Sequence, residues 1–183
     1  MGCSSTSSGS GGNSGSSSGG SCASATVSFK TDVIPLIQNS CSLTSSCHGM
    51  PNYTMAESLY LGPNLSDQPS GDTASDIQTA HDNLVNVTAV ESTMKFVVPG
   101  DLANSFLWHK INGDVAPPNG NNAGKTDPMI AATCMAAAAS TTSCVDCNST
   151  DPCGTSMPYL GELLTSDEQC VFQNWILGGA LNN

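Results

Sequence analysis

At 183 residues, with nine cysteines and a net charge of -11, the chain has room for one domain of ordinary size plus a tail. Its only lysines are Lys30, Lys95, Lys110 and Lys125 and it has no arginine. That argues against nucleic acid or an anionic membrane surface as partner, since both need clustered cations, and favours a basic protein. Nine cysteines point to an oxidising compartment, and no apolar run is long enough to span a bilayer.

The first 21 residues are almost wholly Ser and Gly after Cys3. Such a stretch buries no apolar surface and is predicted to be a disordered tether, with a reach of roughly 25 Å on random-coil scaling. Its start, Met1-Gly2-Cys3-Ser4-Ser5, is similar to the end of a bacterial lipoprotein signal, which makes Cys3 the expected lipid acceptor. A eukaryotic myristoylation pattern fits the same residues. It implies a cytosol in which the other cysteines have no explanation. The expected location is therefore the bacterial cell envelope, periplasm or cell surface, with a lipid anchor as the one membrane attachment.

The globular part is expected over 22–183. Phe29, Val33, Leu36 and Ile37 share one helical face, so a short amphipathic helix is predicted to lead into Cys41, with Pro35 in its first turn. Ser75 to Val85 is predicted helical on Ile77, Leu84 and Val85, with His81 on the helix surface. Asp101 is expected to cap a helix carrying Phe106, Leu107, Trp108 and Ile111, closed by Gly113. Residues 112–125 read as an exposed loop and the Ala-rich run 129–139 as a further helix. Thr165-Ser-Asp-Glu168 is a capping box, followed by the stripe Val171, Phe172, Trp175, Ile176 and the stop Gly178-Gly179. No segment alternates as a strand does, so the fold class expected is all-α with long loops.

The chemistry-bearing stretch is Cys41-Ser-Leu-Thr-Ser-Ser-Cys47-His48-Gly49, answered by Cys153-Gly-Thr-Ser-Met157-Pro158. A cysteine pair ending in Cys-His-Gly has the form of a c-type haem attachment site, in which two thiols bond the porphyrin vinyl groups and the histidine binds iron. Five residues separate the thiols here, where the standard form has two. On local spacing alone, a small Cys41–Cys47 disulfide loop is the stronger reading, because small secreted domains use cysteine mainly for bridges.

Further matching pieces are Ser28-Phe29 through Asp32-Val33-Ile34-Pro35, Val98-Pro99-Gly100-Asp101 with Ser105 and Leu107, and Trp175 through Ala180. In this order they resemble the cytochrome c-like domains of secreted lipoproteins of the myxobacterial and planctomycete kind. The resemblance covers most of the chain beyond the tail. It implies a helical fold whose first and last helices cross beside the haem. It also implies electron transfer by one covalent haem c held by Cys41, Cys47, His48 and Met157, with His48 and Met157 on iron, and a redox partner with a basic docking face. Phe29, Ile37, Trp175 and Leu107 would form an apolar pocket around the porphyrin. The six remaining cysteines allow fifteen pairings, which sequence alone does not resolve; the favoured set is Cys22–Cys170, which the crossing would bring together, with Cys134–Cys144 and Cys147–Cys153 as local staples.

Alternatives stay open at several positions. Met50, Met94 and His109 compete with Met157 as distal ligand, although His109 beside Trp108 reads as a half-buried structural residue. Cys144-Val-Asp-Cys147 has the spacing of a zinc knuckle, yet oxidising conditions favour bridges. Asp146, Asn148 and Asp151 lack the glycine and terminal glutamate of a calcium loop. No phosphate loop, zinc-protease helix or nucleophile elbow occurs, so no enzyme is expected. The rival to the electron carrier is a haem-free, disulfide-stabilised surface lipoprotein acting as a binding or structural module on the same fold.

Overall fold

The computed structural model describes residues 22–43, 47–50, 59–63, 73–89, 92–112, 157–158 and 162–183. Its order is a single π-helical turn (Phe29–Val33), α1 (Ile34–Ser40), α2 (Ala74–Leu84), α3 (Phe106–Asn112) and α4 (Ser166–Leu177). Among the described residues there are four α-helices and only isolated β-bridges, as an all-α chain requires. The tail, the 129–139 run, Cys134, Cys144, Cys147, Cys153, Gly113 and the Asp146–Asp151 string lie outside the described residues.

Local chemistry explains the helix ends. Ser28 accepts from Thr31 N–H to open the π-turn, and Pro35 sits in the first turn of α1, where its missing N–H leaves no gap in the ladder. Thr165 and Glu168 close the expected box on α4. Thr73 and Asp76 form a second box on α2, which starts one residue earlier than the apolar pattern suggests. Thr165→Ala removes the hydroxyl acceptor and is expected to cost about 1 kcal/mol, read as a lower thermal midpoint.

Asp101 has a different task from the one expected of it. Its carboxylate accepts from the backbone and side-chain N–H groups of Asn104, and its carbonyl accepts from Ser105 Oγ at 2.6 Å. It therefore closes the turn 101–105, and α3 starts only at Phe106. The Ser105 hydroxyl also accepts from Val98 N–H at 2.9 Å, which folds the Val98–Pro99–Gly100 corner back on itself. Gly100, at φ +81°, donates its N–H to Ile176 O at 2.7 Å. A side chain at that φ would be strained, so glycine lets the corner satisfy a carbonyl in the last turn of α4.

One apolar core joins these elements. Phe29, Val33, Ile37, Leu84, Val97, Ile111, Phe172, Trp175 and Ile176 are buried together. Phe29 stacks on Trp175 at 5.0 Å between centroids, so the π-turn and α4 meet through these rings. The Cys22–Cys170 disulfide fastens the same junction, with Cα atoms 5.4 Å apart.

The C-terminal residues close over this junction. After Gly179 (φ +97°) and Ala180 (φ +49°), Leu181 O accepts from the Trp175 indole at 3.0 Å. Asn183 O accepts from Lys30 N and Ser28 Oγ. His81, expected on a helix surface, lies under this strap. Its Nε2–H donates to Ala180 O at 2.8 Å, and its ring stands edge-on to Phe29 at 5.2 Å. The correction has a tertiary cause: the strap arrives from about 100 residues downstream in sequence.

Candidate functional site

The site is assembled at the end of α1, where the helix delivers Cys41 close to Cys47 and His48. Cys41 N–H and Ser42 N–H both donate to Ile37 O, at 2.7 and 2.8 Å, which tightens the last turn. His48 N–H donates to Cys41 O at 3.0 Å and closes the 41–48 loop. The loop is then clasped from outside. Leu61 N–H donates to His48 O at 2.9 Å, and His48 Nδ1 lies 2.9 Å from Leu59 O. A carbonyl can only accept, so Nδ1 carries a proton and donates.

The two sulfurs of the loop are in different states. Cys41 is a free thiol, half-buried against the core, and burial pushes its pKa up from 9.0 to about 12. Cys47 is buried and disulfide-bonded. Its partner is neither Cys41, which is free, nor Cys22 or Cys170, which hold each other, so it lies outside the described residues. The expected Cys41–Cys47 bridge is not formed. Two polar groups beside Cys41, Gln38 Nε2 and the fully buried Ser42 Oγ, have no hydrogen-bond partner.

The residues for a covalent haem fit on one side only. A metal-binding histidine typically donates its other ring N–H to a carbonyl or carboxylate, and His48 does this toward Leu59. The sulfurs disagree: Cys47 Sγ is already bonded to sulfur and cannot also bond a vinyl carbon, while Cys41 is a free, half-buried thiol. The pair as folded does not fit thioether attachment. The side chains expected to line a haem pocket are also taken up elsewhere. Phe29, Ile37 and Trp175 are each at most 1% exposed and belong to one core cluster, against which Leu107 packs.

The proposed distal ligands are scattered in environment. Met157 is half-buried, and its N–H donates to Lys110 O at 2.8 Å, which docks it at the end of α3. Met94 is a core residue beside Ala89 and Phe106, and Met50 is exposed. His109 is buried, with Nε2 donating to Ala103 O at 3.0 Å, a structural role. Among the described residues no three His, Cys, Asp or Glu side chains converge as a metal site.

Sequence reasoning missed Gln38 and Ser42, buried polar residues beside the loop, and Leu59, whose carbonyl holds His48. Gln38 has a weak signal, since it follows Ile37 on the face that turns inward; a carbonyl partner has none. In comparisons with known proteins, the chain matches no family model, no curated protein and no solved structure.

Proposed function

We propose that the chain is a haem-free, disulfide-stabilised binding or structural module of a lipid-tethered envelope protein, on a fold related to cytochrome c. The observation that carries this reading is the Cys47 disulfide: the sulfur next to His48, the one an attached haem needs most, is bonded to another cysteine. The compact Phe29–Trp175 junction supports it, because these rings fill their own core. The Cys22–Cys170 bridge suits an oxidising envelope compartment. Cys3 would carry the lipid, residues 4–21 the spacer, and the net charge of -11 would favour a basic protein partner over nucleic acid. The reading assigns no catalysis.

A second reading, the single-haem electron carrier with Cys41, Cys47, His48 and Met157, is favoured by the His48–Leu59 hydrogen bond, which orients the imidazole as an iron ligand would be. It requires both loop sulfurs as thiols when haem arrives. One experiment separates the two. The full chain is produced in a bacterial host with an active cytochrome c maturation system, and its reduced absorption spectrum and intact mass after acid denaturation are measured. The expected result is no reduced-haem band and no retained haem mass. A mass increase of one haem that survives denaturation would establish the electron carrier instead.

A further inference from the structure

The last turn of α4 runs into a reversal that leaves two leucines facing outward. Leu177 is 49% exposed and Leu181 is 58% exposed, on either side of Gly178 and Gly179. Gly179 (φ +97°) and Ala180 (φ +49°) turn the chain so that Ala180 enters the core while Leu181 stays outside. The backbone that carries Leu181 is pinned on both sides. Ala180 O accepts from His81, Leu181 O accepts from the Trp175 indole, and Asn182 Nδ2 donates to Gln78 Oε1 at 2.8 Å. An exposed leucine on a fixed backbone has little freedom left to lose on docking, which lowers the cost of binding.

The rim of this surface is acidic. Gln78 links Asn182 to the exposed carboxylate of Asp82, to which its Nε2 donates at 2.7 Å. On the other side Ser28 links Asn183 to the exposed Asp32: its N–H donates to Asp32 Oδ2 at 2.8 Å and its hydroxyl to Asn183 O at 2.6 Å. Asp101 follows Gly100, whose N–H donates to Ile176 O beside Leu177. Of the described lysines, Lys30 stands beside Asn183, whereas Lys95 is bonded to Asn86 and Lys110 lies over Phe106. Three carboxylates therefore stand around the two leucines against one lysine.

We propose that Leu177 and Leu181, with the Gly178–Gly179 turn between them, form a docking surface for a short basic segment of a protein partner, in which an apolar side chain is flanked by Lys or Arg. This assignment rests on the binding-module reading, to which it adds a surface and a partner chemistry. The apolar side chain would cover the leucines while its cations meet Asp32 and Asp82, so that complementary charge sets register and speeds encounter. Other occupants fit the surface less well. A second copy would bring its own net charge of -11 into contact, and two half-exposed leucines fall far short of the roughly 800 Å² per partner that a stable dimer buries. An anionic lipid surface would be repelled by the same carboxylates.

The test titrates the oxidised full chain, isotope-labelled for amide NMR, with a short amphipathic peptide of Leu and Lys and with its Leu/Glu counterpart. The Leu/Lys peptide is expected to shift the amides of 177–182 saturably, with an affinity that falls as salt is added, and the Leu/Glu peptide to leave them in place. Leu177→Ser and Leu181→Ser are each expected to weaken binding about tenfold, the scale of one lost apolar contact, with the fold retained because both side chains are exposed. Asp82→Asn keeps an oxygen for Gln78 and is expected to weaken binding and flatten its salt dependence. The surface is wrong if the Leu/Lys peptide moves a different set of amides, or binds both serine variants as tightly as the native chain. Shifts at 177–182 that appear on raising the protein concentration alone, or on adding anionic phospholipid vesicles alone, would overturn the proposed occupant in favour of a second copy or a lipid surface. Haem retained after acid denaturation would overturn the haem-free reading by itself, because the peptide titration reads only the far side of α4.

Discussion

Cys22→Ser, Cys170→Ser and the double replacement are all expected to lower stability by the same amount, about 3–5 kcal/mol. The bridge spans 148 residues of sequence, and removing the cross-link returns that loop's conformational freedom to the unfolded chain. Loop closure alone would give about 5 kcal/mol. Any further bridge inside the span shortens the effective loop and moves the loss toward the lower figure. On the folded side, the cross-link ties the segment before the π-turn to the middle of α4, where Asn174 Nδ2 also donates to Ala23 O at 2.9 Å. A loss of this size corresponds to a fall of about 10 °C in the thermal midpoint. Equality of the single and double variants is the sharper criterion, since each removes the same bond. If the double variant fell well below either single, the sulfurs would have separate roles and the pairing would be refuted.

Phe29→Ala and Trp175→Ala are each expected to cost about 3–5 kcal/mol, measured by urea unfolding. Both rings are essentially fully buried and stacked at 5.0 Å, so truncating either leaves a cavity between the π-turn and α4 that the remaining ring cannot fill. A double-mutant cycle should return a coupling of about 0.5–1.5 kcal/mol, the size seen for aromatic pairs. Trp175→Phe separates packing from polarity. It keeps a ring but removes the N–H that Leu181 O accepts, and is expected to loosen the C-terminal strap more than the core. The strap's release would show as faster amide exchange at Lys30, whose N–H donates to Asn183 O, with other core amides little changed. A coupling near zero would mean the two rings are buried side by side without supporting each other, and the junction would lose its claim to organise the fold.

Together these variants locate the strength of the molecule at the crossing of its terminal elements, away from the Cys41–His48 loop. In that loop His48 N–H donates to Cys41 O and Leu61 N–H to His48 O, Cys47 is disulfide-bonded, and Gln38 Nε2 and Ser42 Oγ are buried without a hydrogen-bond partner.

What the amino-acid sequence determined by itself was local. The Thr165–Glu168 box, Pro35 in a first turn and the apolar stripe of α4 follow from spacings of three or four residues, within which helix geometry leaves little choice. The same logic reached α2 but not its cap, since Asp76 stands where the familiar pattern has a longer Glu or Gln. Asp101 read as a helix cap because it precedes an apolar run, whereas Ser105 and the Val98 corner compete for the same backbone and delay α3 until Phe106. His81 read as a surface residue although Ile77 and Leu84 share its helix face, and the returning C-terminal strap half-buries it. The sulfur states lay furthest from reach. A cysteine's partner is whichever thiol the folded chain carries within bonding distance, and a spacing of five residues between Cys41 and Cys47 says nothing about distant sulfurs. The tertiary structure alone decided that Cys47 bonds elsewhere, that Cys41 stays a half-buried free thiol and that the His48 imidazole holds a backbone carbonyl, because each depends on chain segments brought together through space.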